Sequence, residues 1–97
     1  MNLKRLDAHS TRITSVPDSL CELTSLEYLN LGYTRLATLP ENIGNLSNLR
    51  SLNLFGCKLK TLPPSMKQLK NLRYLNVYDN FELDEAYKQW FDKKVYT

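Results

Sequence analysis

Leucines recur at Leu3, Leu26, Leu49 and Leu72, each 23 residues after the last, and the register never slips. A chain with that period must stack similar units, because one 23-residue unit cannot bury its own leucines. Four units follow: LKRLDAHSTRITSVPDSLCELTS, LEYLNLGYTRLATLPENIGNLSN, LRSLNLFGCKLKTLPPSMKQLKN, and LRYLNVYDN, which runs into a different tail. Counted from each first leucine, position 4 is Leu6, Leu29, Leu52 and Leu75, and position 6 is Ala8, Leu31, Leu54 and Val77. Their alternation is that of a short strand. Position 11 is Ile13, Leu36 and Leu59; position 14 is Val16, Leu39 and Leu62; position 15 is Pro17, Pro40 and Pro63. A proline there stops the strand side and opens a turn. Leu20, Ile43 and Met66 at position 18, then Leu23, Leu46 and Leu69 at position 21, are spaced as on one side of a short helix or 3₁₀ turn.

The pattern L-x-x-L-x-L-x-x-(N/T/C)-x-L, followed by L-P-x-x-[LIM]-x-x-L, resembles the leucine-rich repeat family over roughly residues 3–83. Its 23-residue Leu-Pro form is similar to repeats of intracellular scaffold proteins, plant intracellular immune receptors and bacterial effectors. The resemblance implies an α/β fold, a short right-handed solenoid with a parallel sheet on the concave face and helical or 3₁₀ turns on the convex face. Residues 1–83 then carry the four repeats and residues 84–97 a C-terminal capping helix and tail. About three stacked repeats are the usual minimum, so this solenoid is close to the lower limit.

The ninth position departs from the family pattern, which prefers an asparagine bonded to the backbone of adjacent turns. Here it is Thr11, Thr34, Cys57 and only finally Asn80. Thr donates and accepts hydrogen bonds and Cys does so weakly, which assigns Cys57 to this inner ladder; a reactive thiol is the alternative. Cys21, at position 19, belongs to the convex turn of the first repeat. Opposite sides and two repeats of separation exceed the ~7 Å Cα limit of a disulfide, so no internal bridge is expected.

The two ends read differently. After Phe81-Glu82-Leu83 the tail reads as a short amphipathic helix with Leu83, Tyr87, Trp90 and Phe91 on one side, Asp84 and Glu85 at its start, and Lys93 and Lys94 at its end. It is expected to lay Trp90 over leucines that the last repeat would otherwise expose, with a partner-binding helix as the sharper alternative. Nothing comparable precedes Leu3, so Leu3, Leu6 and Ile13 should lie near solvent beside an open strand edge at Arg5-Leu6-Asp7. A second copy packing there, local polar cover and a longer parent chain are all compatible with that edge.

Function is carried by the outward columns of the sheet, whose rungs are spaced ~4.8 Å apart. Position 3 holds Arg5, Tyr28, Ser51 and Tyr74; position 5 holds Asp7, Asn30, Asn53 and Asn76. Position 7 holds His9, Gly32, Phe55 and Tyr78, and position 8 holds Ser10, Tyr33, Gly56 and Asp79. Aromatic side chains on a solvated face are not needed by a structural repeat and are the usual anchors of protein interfaces. The candidate partner-binding residues are Tyr28, Asn30, Tyr33, Arg35, Arg50, Asn53, Phe55, Arg73, Tyr74 and Tyr78. The plainer alternatives are tyrosines packed on one another and an asparagine side-chain ladder. Position 10 runs Arg12, Arg35, Lys58 and position 2 runs Lys4, Glu27, Arg50, Arg73. Like charges on neighbouring strands are mildly unfavourable, so either a partner supplies an acidic patch or the side chains are simply solvated.

Other function classes find little support. A formal net charge of +3 falls short of a nucleic-acid-binding signature, although basic concave columns with interleaved tyrosines keep that reading in view. His9, the only histidine, can pair with Asp7, but no placed nucleophile completes a catalytic set. Asp79, Glu82, Asp84 and Glu85 lack calcium-loop spacing, and Gly32, Gly44 and Gly56 form no phosphate cradle. No apolar run approaches the ~20 residues of a membrane span, and the start shows no signal-peptide pattern. The expectation is a cytoplasmic, non-enzymatic module without cofactor or metal that binds a protein, with a recognition subunit for a catalytic partner chain as the alternative.

Overall fold

In a computed structural model, residues 2–90 are described. Phe91, Lys93 and Lys94, assigned above to the capping helix, lie outside the described residues. Four strands of three residues, β1 (Arg5–Asp7), β2 (Tyr28–Asn30), β3 (Ser51–Asn53) and β4 (Tyr74–Asn76), form a parallel sheet in chain order. Leu6, Leu29, Leu52 and Leu75 are direct partners across it, so the register of the sheet is the register of the repeat. Each crossover passes through a 3₁₀ turn: η1 (Asp18–Glu22), η2 (Ile43–Asn45) and η3 (Pro64–Gln68). The turns close alike, with the N–H of Leu20, Ile43 and Met66 donating to the carbonyls of Pro17, Pro40 and Pro63 at 3.0, 3.1 and 3.0 Å.

The core lies between sheet and turns. Leu26, Leu29, Leu31, Leu36, Ile43 and Leu46 of the second repeat are shut off from solvent, as are Leu49, Leu52, Leu54, Leu59 and Met66 of the third. Each such side chain contributes about 1.5–3 kcal/mol through burial, an upper bound that neglects structure in the unfolded chain. Among the described residues the first repeat has a neighbour on one side only, and there Leu3, Leu6, Ala8, Ile13, Val16 and Leu23 are only partly buried.

Two features set the rise between repeats. Thr34 Oγ1 donates to the Leu31 carbonyl at 2.9 Å, and Cys57 Sγ reaches the same carbonyl at 3.1 Å and Thr34 Oγ1 at 3.3 Å. Asn80 completes the ladder: its Nδ2 donates to the Leu54 and Val77 carbonyls at 2.8 and 2.9 Å and its Oδ1 accepts from Leu59 N–H at 3.0 Å. From Thr34 to Asn80 the ninth position is thus a polar seam in which Cys57 plays the expected part, while Thr11 bonds only its own repeat's Ala8 carbonyl. On the convex side Gly44 allows η2 and η3 to touch. A Cβ there would fall 2.1 Å from the Ser65 carbonyl oxygen, and the Gly44 N–H instead donates to Ser65 Oγ at 3.0 Å. Cys21 and Cys57 are both buried free thiols, and burial, aided by Asp18 and Glu22, pushes the Cys21 thiol above its ordinary value.

After the last strand the chain forms a 3₁₀ helix, η4 (Glu85–Trp90). Asp84 caps its start, its Oδ1 accepting the Ala86 N–H at 2.9 Å. Leu83, Tyr87 and Trp90 pack against the core partly buried. Trp90 takes the edge of Tyr87 at 4.9 Å between centroids, and the Lys67 ammonium of η3 lies 4.6 Å from its ring centre.

Candidate protein-binding face

The concave face is built from the residues that alternate with the buried leucines. Tyr28, Ser51 and Tyr74 are register partners, each half-buried. The small Ser51 between two tyrosines leaves a depression of about 250 Å³, floored by Asn30 and Asn53 and bounded by Arg5. The Arg5 guanidinium stands 4.0 Å from the centre of the Tyr28 ring, a cation–π contact that holds this wall upright.

The asparagine column does not form a ladder across the strands with its carbonyl oxygens. Each Oδ1 accepts a backbone N–H two residues on: Asn30 from Gly32 at 3.0 Å, Asn53 from Phe55 at 2.9 Å, Asn76 from Tyr78 at 3.0 Å. Asp7 does the same for His9 at 3.1 Å, and its carboxyl also meets the His9 ring, so His9 holds it below the usual carboxylate range. These side chains fix the bend at the end of each strand.

That bend places one residue per repeat in the left-handed region: Ser10 (φ 59°), Tyr33 (φ 55°), Gly56 (φ 69°) and Asp79 (φ 59°), all at position 8. Gly and Asp accept it readily, whereas a bulky side chain at positive φ costs about 1–2 kcal/mol. Tyr33 is held there, 61% exposed, with its ring edge-on to Phe55 at 5.1 Å. Gly56 clears the space, since a Cβ on it would fall 3.3 Å from Tyr33 Cδ1. The next aromatic on the same flank, Tyr78, is 41% exposed.

The two basic columns behave differently. Glu27 reaches Lys4 at 3.3 Å and Arg50 at 3.8 Å, which relieves the repulsion expected at position 2. Arg35 and Arg73 are exposed, on opposite flanks of the strands. The sequence reading missed Phe81, which is 88% exposed. Its signal was present, because Phe81 continues the position-10 column one repeat beyond Lys58.

Among the described residues no group of three or more His, Cys, Asp and Glu could hold a metal ion, and no helix is long and apolar enough to cross a membrane. A depression of about 890 Å³ lies off the sheet face, where Leu39, Leu62, Pro63 and Pro64 meet Tyr87 and Trp90.

A parallel sheet of three-residue rungs closed by 3₁₀ turns on a 23-residue period defines a class of repeat protein. A family model described as a leucine-rich repeat region matches residues 1–89, and the chain belongs to the leucine-rich repeat family. Among solved structures it is similar to a leucine-rich repeat protein of Leptospira interrogans, with a TM-score of 0.79 and 34% identity over 90% of this chain. The chain spans 22% of that protein's length. Among curated proteins none matches. Family and likeness together indicate a protein-interaction module in general, a class that is typically non-enzymatic.

Proposed function

We propose that the chain binds a partner protein through its concave face, with Tyr28, Phe55, Tyr74 and Tyr78 as anchors and Tyr33 beside them. The single observation that carries this reading is the placement of Tyr33. Its backbone conformation is unfavourable, its ring gains little burial, and its neighbour Gly56 leaves room for it. Strain retained at an exposed aromatic is intelligible if the ring meets something outside the chain. The notch between Tyr28 and Tyr74 would accept one partner side chain, and the capped bends hold the face in shape, so little backbone entropy is lost on binding. Arg35 and Arg73, with Arg50 shared with Glu27, would speed encounter with a partner of opposite charge in the cytoplasm.

The η4 surface competes less well for this role. Trp90 and Tyr87 are partly buried against the core and Lys67 lies over the Trp90 ring, whereas Tyr33 and Tyr78 are exposed. Affinity capture from source-cell lysate compares the native chain with a folded Tyr33→Ala, Phe55→Ala, Tyr78→Ala variant. A partner retained by the native chain and lost by the variant supports the concave face; equal retention by both moves the site to the convex turns or to η4.

A further inference from the structure

The position-10 column differs from the other outward columns. It runs Arg12, Arg35, Lys58 and then Phe81, and all four side chains are exposed. Backbone bonds keep it in file: Arg35 N–H donates to the Ile13 carbonyl at 3.0 Å and Lys58 N–H to the Leu36 carbonyl at 2.9 Å. Arg12, Arg35 and Lys58 therefore follow one another at the sheet spacing of ~4.8 Å, and Phe81 holds the next position 10 in the sequence. At position 2 Glu27 stands between Lys4 and Arg50 and holds both, so only Arg50 and Arg73 are adjacent cations there. At position 10, among the described residues, no carboxylate lies within ion-pair distance of Arg12, Arg35 or Lys58; the acid in reach, Glu82, pairs with Lys60 at 3.2 Å. Like charges on adjacent rungs repel, and a partner's carboxylates would remove that cost. Where the cations give way to Phe81 there is a mainly apolar depression of about 280 Å³, lined by Ala37, Cys57, Lys58, Lys60, Phe81 and Glu82, with Lys60 and Glu82 paired to each other. Tyr33 and Phe55 rise from the loops that lead into the middle of the column.

Building on the concave-face reading, we propose that this flank docks an extended acidic segment of the partner, with carboxylates on Arg12, Arg35 and Lys58 and an apolar side chain against Phe81. Four rungs cover roughly 14 Å, the reach of four to five extended residues at ~3.3 Å each. Arginine grips a carboxylate with two parallel N–H bonds, and the long stems of Arg and Lys absorb the mismatch between rung spacing and peptide rise. A phosphate backbone fits less well. It needs cations along its whole path, whereas Glu27 interrupts the opposite flank and Asp79, Asp84 and Glu85 gather beside Phe81.

The test selects peptides of roughly eight residues, enough to span the column at the strand rise, from a random display library on the native chain. The best binder is then titrated by fluorescence polarisation against Arg35→Glu/Lys58→Glu, Phe81→Ser and Tyr33→Ala/Tyr78→Ala variants of unchanged melting temperature. The expected result is enrichment of Asp and Glu with an apolar residue at one end, and a loss on the order of tenfold or more with the charge-reversed variant. Phe81→Ser weakens the same peptide several-fold. Binders without acidic enrichment, binders indifferent to charge reversal, or an empty selection overturn the acidic strip. If those binders still fail on Tyr33→Ala/Tyr78→Ala, the concave-face reading survives without the strip; indifference to every variant removes both. A single-stranded oligonucleotide of matched charge that outcompetes the peptide assigns the flank to nucleic acid and overturns the proposal.

Discussion

The first and third repeats are built from nearly the same pattern, yet they are physically unlike. Leu52 of the third repeat is fully buried between Leu29 and Leu75, whereas Leu6 of the first has Leu29 on one side and an open strand edge on the other. Thr11 of the first repeat bonds only its own Ala8 carbonyl and is exposed, while Asn80 of the fourth ties two repeats together from a buried position. The difference shows that a repeat's energy resides in its neighbours rather than in its own residues.

That contrast can be broken by mutation, and the largest effect is expected in the core. Leu52→Ala should cost about 3 kcal/mol in urea unfolding and Leu6→Ala roughly a third of that, because only the interior site leaves a cavity. Equal losses would mean that the edge is as well packed as the middle. Gly44→Ala should cost about 2 kcal/mol, since the added methyl drives η2 against the Ser65 backbone. Asn80→Ala should cost about 2 kcal/mol by stranding the Leu54 and Val77 carbonyls and the Leu59 N–H. Thr11→Ala, at the exposed ninth position of the first repeat, should cost less than about 0.5 kcal/mol. The smallest effect belongs to the edge. By NMR the Asp7 carboxyl should titrate below the ordinary aspartate value, and His9→Ala should return it part of the way, since the backbone N–H of residue 9 still donates to it. Since its value is depressed in the fold, its small contribution to stability is present above the ordinary aspartate range and lost as pH falls through the depressed value.

Much of this was legible in the residues. The period set the strand register, the prolines marked the turns, and the conformity of position 9 placed Cys57 in the seam despite the substitution. The left-handed bend at position 8 went unread, although Gly56 and Asp79 are residue types that tolerate it, because Ser10 and Tyr33 at the same position do not look like ones. The charge columns were legible as sequence but not as ion pairs, since only folded geometry shows Glu27 between Lys4 and Arg50. Phe81 was read as the point where the tail departs from the repeat, although by count it occupies position 10 of the fourth unit. The tail was read as a helix, and the short η4 satisfies its hydrogen bonds with the tighter 3₁₀ pattern.

On the proposed function, Tyr33 serves a partner rather than the fold. Replacing it with glycine relieves a strain of about 1–2 kcal/mol and forfeits a ring contact of similar size, so stability should change by less than about 1 kcal/mol. The decisive measurement is therefore the affinity of the captured partner for the folded Tyr33→Gly chain. A loss of roughly tenfold or more, the mark of a good anchor, is the predicted result; unchanged affinity would contradict the account and return Tyr33 to a purely structural role.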